Sequence, residues 1–232
     1  MSTATLATPA PAAPAGDLAT VPLHLTQIHV DYEQAARLLK IRDTYDWHQI
    51  IWQAFGGPGR DGAPRDFLVR IDQKDDAFRV LVLSQTVPTR PDWCPSANFA
   101  TKPIPNSFFT HPRYAFTLLA NPTKKIRSNA AGERTKNGRR VPLTTREDLL
   151  AWLTRKSPFA GFSFDPETAQ TIPRGREYFH KDKSSTHGLH AAVEFRGQLI
   201  VTDPAAFRTA VATGLGSAKA FGFGLLVLAP LS

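Results

Sequence analysis

The hydrophobic pattern changes period several times along the chain, and each change marks an element. Val21 to Val30 (VPLHLTQIHV) is extended in character, with Leu23, Leu25 and Ile28 facing inward, and predicts a first strand. Asp31 caps a short helical run, Tyr32 to Leu39. From Thr44 to Phe55 the period lengthens. Trp47, Ile50, Ile51 and Ala54 stand at i, i+3, i+4 and i+7, lining one face of a second helix that Gly56-Gly57-Pro58 stops. Phe67 to Asp72 and Phe78 to Leu83 read as strands joined by a turn at Asp75-Asp76. The first half is therefore β-α-β-β, and the proline-rich run from Pro88 to Pro105 reads as a connector.

The second half repeats the theme. Arg113 to Leu119 is a strand, and Lys124 to Arg140 a basic hairpin with turns at Gly132 and Asn137-Gly138. Thr145 caps a helix, Arg146 to Arg155, with Leu149, Leu150 and Leu153 inward. Phe159 to Phe164 is a short apolar segment, and Arg174 to Ser185 a second basic stretch. His187 to Phe195 and Leu199 to Thr202 read as two strands around Arg196-Gly197. Asp203 then stands at an N-cap and Pro204 at the first helical position, with helix over Ala205 to Thr213. A loop with Gly214, Gly216, Gly222 and Gly224 follows, and Leu225 to Leu228 closes the pattern as a buried strand. Two tandem ferredoxin-like (RRM-like) domains, an α+β architecture, account for this order. The expected division is a disordered Ala/Pro-rich tail over 1–20, domains over 21–95 and 113–232, and a linker over 96–112.

Composition narrows the partner. The 232 residues carry 28 Lys+Arg against 20 Asp+Glu, a net charge of +8 that favours a polyanion, nucleic acid before an anionic membrane. Lys124, Lys125, Arg127, Arg134, Lys136, Arg139 and Arg140 against Glu133 alone supply +6 of that +8. A solvated face mixes its signs, so this segment is the candidate for gripping a nucleic acid, with an unspecific basic loop as the alternative. No apolar run approaches the ~18 residues of a membrane span. The single cysteine, Cys94, rules out an internal disulfide framework and a cysteine-based zinc site, and it fits a reducing cytoplasm. Met1 to Thr20 lacks the positive start and continuous apolar core of a signal peptide.

Two places can carry chemistry. Tyr45 and His48 are three apart on one helix and share a face, with His48 at the edge of the apolar stripe. Imidazole titrates near pH ~6.5, which suits a general acid or base, while a helix-edge histidine with a structural partner is the plain alternative. Asp43 and Asp46 stand beside the pair, able to orient His48 or, for Asp46, to complement the helix dipole. The glycine loop, with Ser217 and Lys219, suits phosphate if its N–H groups are exposed and is packing otherwise; its spacing is neither a P-loop nor a dinucleotide loop. His180, His187 and His190 have no ligand spacing, and neither HExxH nor an acidic cluster occurs, so neither metal nor cofactor is expected.

One stretch is more specific than its parts. The strand LIVT, then DPAAFR, a short helix, GLGSAKAFGFGLL and an immediate end resemble the C-terminus of the CRISPR type I-E repeat-RNA endoribonucleases, the CasE family. The resemblance extends through ANPTKK (Ala120 to Lys125) and GRRVPLTTREDLLAWL (Gly138 to Leu153), and Tyr45-x-x-His48 falls where the family keeps its active Tyr-x-x-His. It covers about residues 21 to 230. The tail and the Gly56–Arg65 loop depart from the family. The resemblance implies a metal-independent endoribonuclease with His48 and Tyr45 in its active site and a lysine at the phosphate. It would cut CRISPR repeat hairpins in precursor crRNA by 2′-OH attack, then stay bound to the mature crRNA among other Cascade subunits. The remaining alternative is a non-catalytic RNA stem-loop-binding subunit, which has no need of His48. A DNA-binding protein ranks below both, since no helix-turn-helix spacing is present.

Overall fold

Two strands of the first half are apolar at successive positions, FLV over residues 67–69 and VLVL over residues 80–83. Such runs need cover on both faces. In the computed structural model they have it. The structure describes residues 21–57, 65–128, 134–180 and 187–231, with the backbone alone for 128, 134–137, 177–180 and 187–189. The tail expected over Met1 to Thr20 lies outside the described residues.

Strands β1 (Leu23–Asp31), β2 (Phe67–Lys74), β3 (Ala77–Ser84) and β4 (Phe99–Ile104) form one antiparallel sheet in the order β2-β3-β1-β4. Helix α1 (Thr44–Trp52), prolonged by a 3₁₀ turn to Phe55, packs Trp47 and Ile51 on the face that carries Ile28, Val30, Phe67, Val69, Val80 and Val82. The opposite face, with Leu23, Leu68, Leu81 and Leu83, joins the core of the second half. The two halves therefore share one hydrophobic cluster.

The second half runs β5 (Arg113–Ala120), a two-stranded hairpin β6 (Thr123–Ser128) and β7 (Arg134–Pro142), α2 (Arg146–Lys156), β8 (Phe162–Phe164), β9 (Gln170–His180), β10 (His187–Val201), α3 (Pro204–Thr213) and β11 (Leu226–Pro230). Its main sheet has the order β11-β5-β10-β8, and β9 pairs the first part of β10. Leu149, Trp152 and Leu153 of α2 and Phe207 and Val211 of α3 fill its core, with Trp152 stacked on Phe195 at 5.7 Å. Phe207 has no exposed surface, and its burial is worth on the order of 2–3 kcal/mol. Asp203 caps α3 by accepting from the N–H groups of Ala205 and Ala206, each at 3.0 Å, as its position ahead of Pro204 predicts. Both sheets follow the strand order of a ferredoxin-like unit, with the equivalent of its second strand split in the second half into β8 and β9.

Three expectations are corrected. Part of the 96–112 stretch read as a linker is strand: β4 pairs with β1, Ile104 opposite Leu23 and Phe99 opposite Ile28. Its side chains are mostly exposed, so no alternation marked it, and Pro103 is tolerated because an edge strand leaves an N–H to spare. The second correction concerns Arg196-Gly197, which is not a turn: β10 runs straight through, with Gly197 opposite Phe116. A Cβ there would meet the Phe116 ring at 3.3 Å, so the glycine serves close packing rather than reversal. The third concerns Asn137-Gly138, which is not a turn either but lies within β7, where a Cβ on Gly138 would strike the Ile126 carbonyl of β6 at 2.9 Å.

Candidate active site

The first turn of α1 is built by its own carboxylates. Asp43 accepts from the N–H groups of Tyr45 and Asp46 at 2.8 and 3.2 Å. Asp46 is gripped by the Arg42 guanidinium at 2.9 and 3.0 Å, and that bond is the main reason its carboxyl lies below the usual value. Asp46 therefore orients Arg42. His48 has another partner: its Nε2 accepts from Nε1 of Trp52 at 3.0 Å, one turn further along. An indole N–H only donates, so the neutral imidazole carries its proton on Nδ1, which is buried with no hydrogen-bond partner. Trp52 and Phe67 wall the ring at 6.0 and 6.4 Å between centroids. Burial in this aromatic setting, and then the charge of Arg65, pull the His48 pKa down to about 4. His48 is thus uncharged at neutral pH. Tyr45 sits one turn earlier on the same helix, half-buried.

The opposite wall comes from the far end of the chain. After α3, the 3₁₀ turn Lys219–Phe221 lies against α1 and β2. Gly214 and Gly224 hold the loop's base through packing: both have positive φ, 76° and 89°, and a Cβ on Gly214 would strike Leu68 and the Gly224 carbonyl at 2.9 Å. Gly216 lies against the Trp152 ring. Gly214, Gly216 and Lys219 together line an open groove of about 670 Å³ with Arg155 and Lys156 of α2. Ser217 faces the other way, donating to the Asn121 carbonyl at 3.4 Å. Lys219 is lowered below the ordinary lysine value by burial, then by Arg65 and Lys156. Arg65 acts on both His48 and Lys219, so the three groups, from three separate segments, share one neighbourhood.

Asn121 also roots the basic hairpin. Its side-chain amide bonds Nδ1 of His190 at 2.9 Å, so the hairpin's base and the glycine loop meet at one residue. In the hairpin Lys125 stands directly opposite Arg140, while Arg139 faces Ile126. Like charges directly opposed across a ladder destabilise it, an arrangement that an anion between them reverses. Lys125, Arg127, Arg139 and Arg140 are exposed; Lys124 reaches Asp148 of α2 at 3.6 Å. Arg134 and Lys136 lie on β7, and their side chains are outside the described residues. Lys181 and Lys183 of the second basic stretch are also outside them, and Arg174 is paired with Glu194 at 3.0 Å.

A family model described as CRISPR associated protein matches residues 23–230. The chain is 33% identical, over 82% of its length and 94% of the relative's, to the CRISPR system Cascade subunit CasE of Escherichia coli K12. The chain belongs to the CRISPR-associated CasE family. The CRISPR-associated endoribonuclease Cse3 of Thermus thermophilus is 28% identical over 89% of this chain and 99% of that one. A solved structure of the CRISPR endoribonuclease Cse3 bound to a 19-nucleotide RNA superposes with a TM-score of 0.66 at 25% identity, covering 90% of this chain and all of that one. No helix among the described residues is long and apolar enough to cross a membrane. Among them no group of three or more His, Cys, Asp or Glu side chains could hold a metal. Two neighbours of His48 are not evident from the sequence reading. Trp52 had a usable signal, its i+4 spacing from His48; Arg65, in a glycine- and proline-rich loop, had none.

Proposed function

We propose that this chain is an endoribonuclease that cuts CRISPR repeat hairpins in precursor crRNA, in the cytoplasm, and remains on its product as a subunit of Cascade. The observation that carries the proposal is that the turn bearing Lys219, from one half, lies against the helix bearing a neutral, desolvated His48 from the other. The relatives support it by name: one is a Cascade subunit, another an endoribonuclease. In the reaction the 2′-oxygen attacks the adjacent phosphorus and the bond to the 5′-oxygen breaks. A base takes the 2′ proton and an acid gives one to the departing oxygen, leaving a 2′,3′-cyclic phosphate and a 5′-OH. His48 is the principal proton-transfer group and Tyr45 orients the nucleotide. The lone pair His48 offers is the one Trp52 holds in the free protein, so RNA entry shifts the indole or the ring. Lys219 and the loop at Gly216 contact the cleaved strand, whereas the Gly214 N–H is taken by the Ala210 carbonyl and the Ser217 hydroxyl by Asn121. Lys124, Lys125, Arg127, Arg134, Lys136, Arg139 and Arg140 run along the stem, whose A-form is read by phosphates and shape.

Single-turnover cleavage of the repeat hairpin in excess EDTA tests this. Wild type is expected to cut, and a 2′-deoxy substitution at the scissile nucleotide is expected to abolish cutting. Tight binding without cleavage would make the chain a holder of stem-loops. The hairpin's role has a separate test. Arg139→Ala with Arg140→Ala should weaken stem binding and flatten the dependence of log Kd on log salt by about 1 per lost phosphate contact. An unchanged slope would remove the segment from the interface.

A further inference from the structure

We propose that Arg65, placed just ahead of β2, binds the scissile phosphate beside His48 and stabilises the charge that develops on its non-bridging oxygens. The proposal rests on the endoribonuclease reading and adds a residue to it. Arg65 lies with Cζ 5.8 Å above the Phe67 ring, and the same ring stands 6.4 Å from the His48 imidazole. One aromatic side chain thus carries the guanidinium and borders the histidine. Nη1 of Arg65 is buried with no acceptor, and no carboxylate pairs with Arg65 or Lys219 among the described residues. Two other arginines lie deeper: Arg70 has Asp72, Thr117 and Glu194 as partners, while Arg208, whose Nε also lacks an acceptor, donates to the Val21 carbonyl and lies over the Phe109 ring, away from His48. A buried guanidinium N–H without an acceptor destabilises the free protein, and at Arg65, unlike Arg79 and Arg208, the unpaired N–H belongs to a guanidinium on the ring that borders His48, where an anion from the substrate would satisfy it. A planar fork on a flat ring is preorganised for two phosphate oxygens, where a lysine offers a point charge. Lys219, from the other half, shares that neighbourhood.

The chemistry asks for such a group. As the 2′-oxygen adds to phosphorus, negative charge grows on the non-bridging oxygens and no proton transfer removes it. A donor fixed in place before reaction acts on the transition state more than on the ground state. The anion would also offset the charge with which Arg65 depresses the His48 pKa in the free protein, so substrate binding would raise the basicity of the group that takes the 2′ proton. Stem contacts lie elsewhere, so Arg65 should matter for cutting more than for holding.

Two arms test the proposal. In single-turnover cleavage at saturating repeat hairpin, Arg65→Ala should cut at least ~100-fold slower than wild type. Its hairpin Kd should stay within about threefold and its melting temperature should match wild type, with Arg65→Lys recovering part of the rate. In the second arm, binding is compared for hairpins ending in a 3′-phosphate and in a 3′-hydroxyl at the cut position, which needs no turnover. Wild type should prefer the phosphate end and Arg65→Ala should lose the preference. If wild type does not cut yet shows the preference and Arg65→Ala loses it, the endoribonuclease reading falls and the phosphate site stands. Equal affinity for both ends in wild type, or an unchanged preference in Arg65→Ala, overturns the proposal. So does a rate loss in Arg65→Ala that follows a fall in melting temperature, which would make Arg65 a packing residue on Phe67.

Discussion

His48→Ala is expected to bind the repeat hairpin within about threefold of wild type and to cut it at least ~100-fold slower in a single turnover. The stem contacts proposed here lie in the β6–β7 hairpin, and His48 contributes no charge to binding, since it is neutral at physiological pH. The pH profile is the sharper readout. An ordinary histidine base would lose activity as pH falls through ~6.5. Here burial comes first and Arg65 second in depressing the pKa to about 4; Asp46, the nearest acidic group on the same helix, is tied to Arg42. Measured with RNA well below saturation, which reports the free enzyme, the rate should stay flat from pH 7 to 6 and fall only on approaching 4. A midpoint near 6.5 would mean that the imidazole is not desolvated as this geometry has it. Equal rates for His48→Ala and wild type would make it a helix-edge histidine held by Trp52.

How much of this was legible in the sequence depends on the range of the interaction. α1, α2 and α3 were read within a few residues because caps and apolar stripes are local: Thr145 and Asp203 each accept from their own first turn, and so does Asp43, which the sequence offered instead as a partner for His48. The β6–β7 hairpin was legible from its charge but not from its turn residues, since Asn137-Gly138 lies inside β7 and Gly132 lies outside the described residues. β4 was not, because an exposed edge strand carries no alternation; its identity lies in a ladder with β1 some 75 residues away, where Thr26 and Thr101 meet at 2.9 Å. The continuity of β10 was hidden by Gly197, whose signal as a turn residue is identical to its signal as a packing residue. At the site, Tyr45 and His48 were found through a motif. The groups that set the electrostatics of His48 come from outside it: Trp52 donates to its ring, Phe67 excludes water, and Arg65 supplies charge after a loop with no periodic pattern. The glycine loop shows the same limit. Its glycines were visible, but that Gly214 is bare for Leu68 of the other half is a fact of tertiary packing.

The largest stability effect is expected at Glu194, where the two halves are joined electrostatically. Arg70 stands in the otherwise apolar run of β2 and points into the second half. It donates to Asp72 at 2.8 Å, to Thr117 at 3.0 Å and to Glu194 at 2.9 Å. Glu194 is 1% exposed and also accepts from Arg174 and Arg196. Burial pushes the Glu194 carboxyl up, yet Arg196, Arg174 and Arg70 together outweigh it and hold it below the usual value; Asp72 is held low against burial by Arg79 and Arg70. Removing one partner of a buried pair leaves the other uncompensated, so Glu194→Ala should cost about 3 kcal/mol or more in urea unfolding. Glu194→Gln keeps the shape and one acceptor and should cost less. The sign of the pH dependence follows from the depressed carboxyls. A group whose folded pKa lies below its unfolded one stabilises above the unfolded value, near ~4, and the contribution is lost as pH falls through the folded value. Wild type should therefore lose stability below pH ~4, and Glu194→Gln should lose less over that range than wild type does. If Glu194→Ala unfolds at the wild-type urea midpoint, the pair contributes nothing net, and the shared apolar cluster of Leu23, Leu68, Leu81 and Leu83 alone holds His48 against the glycine loop.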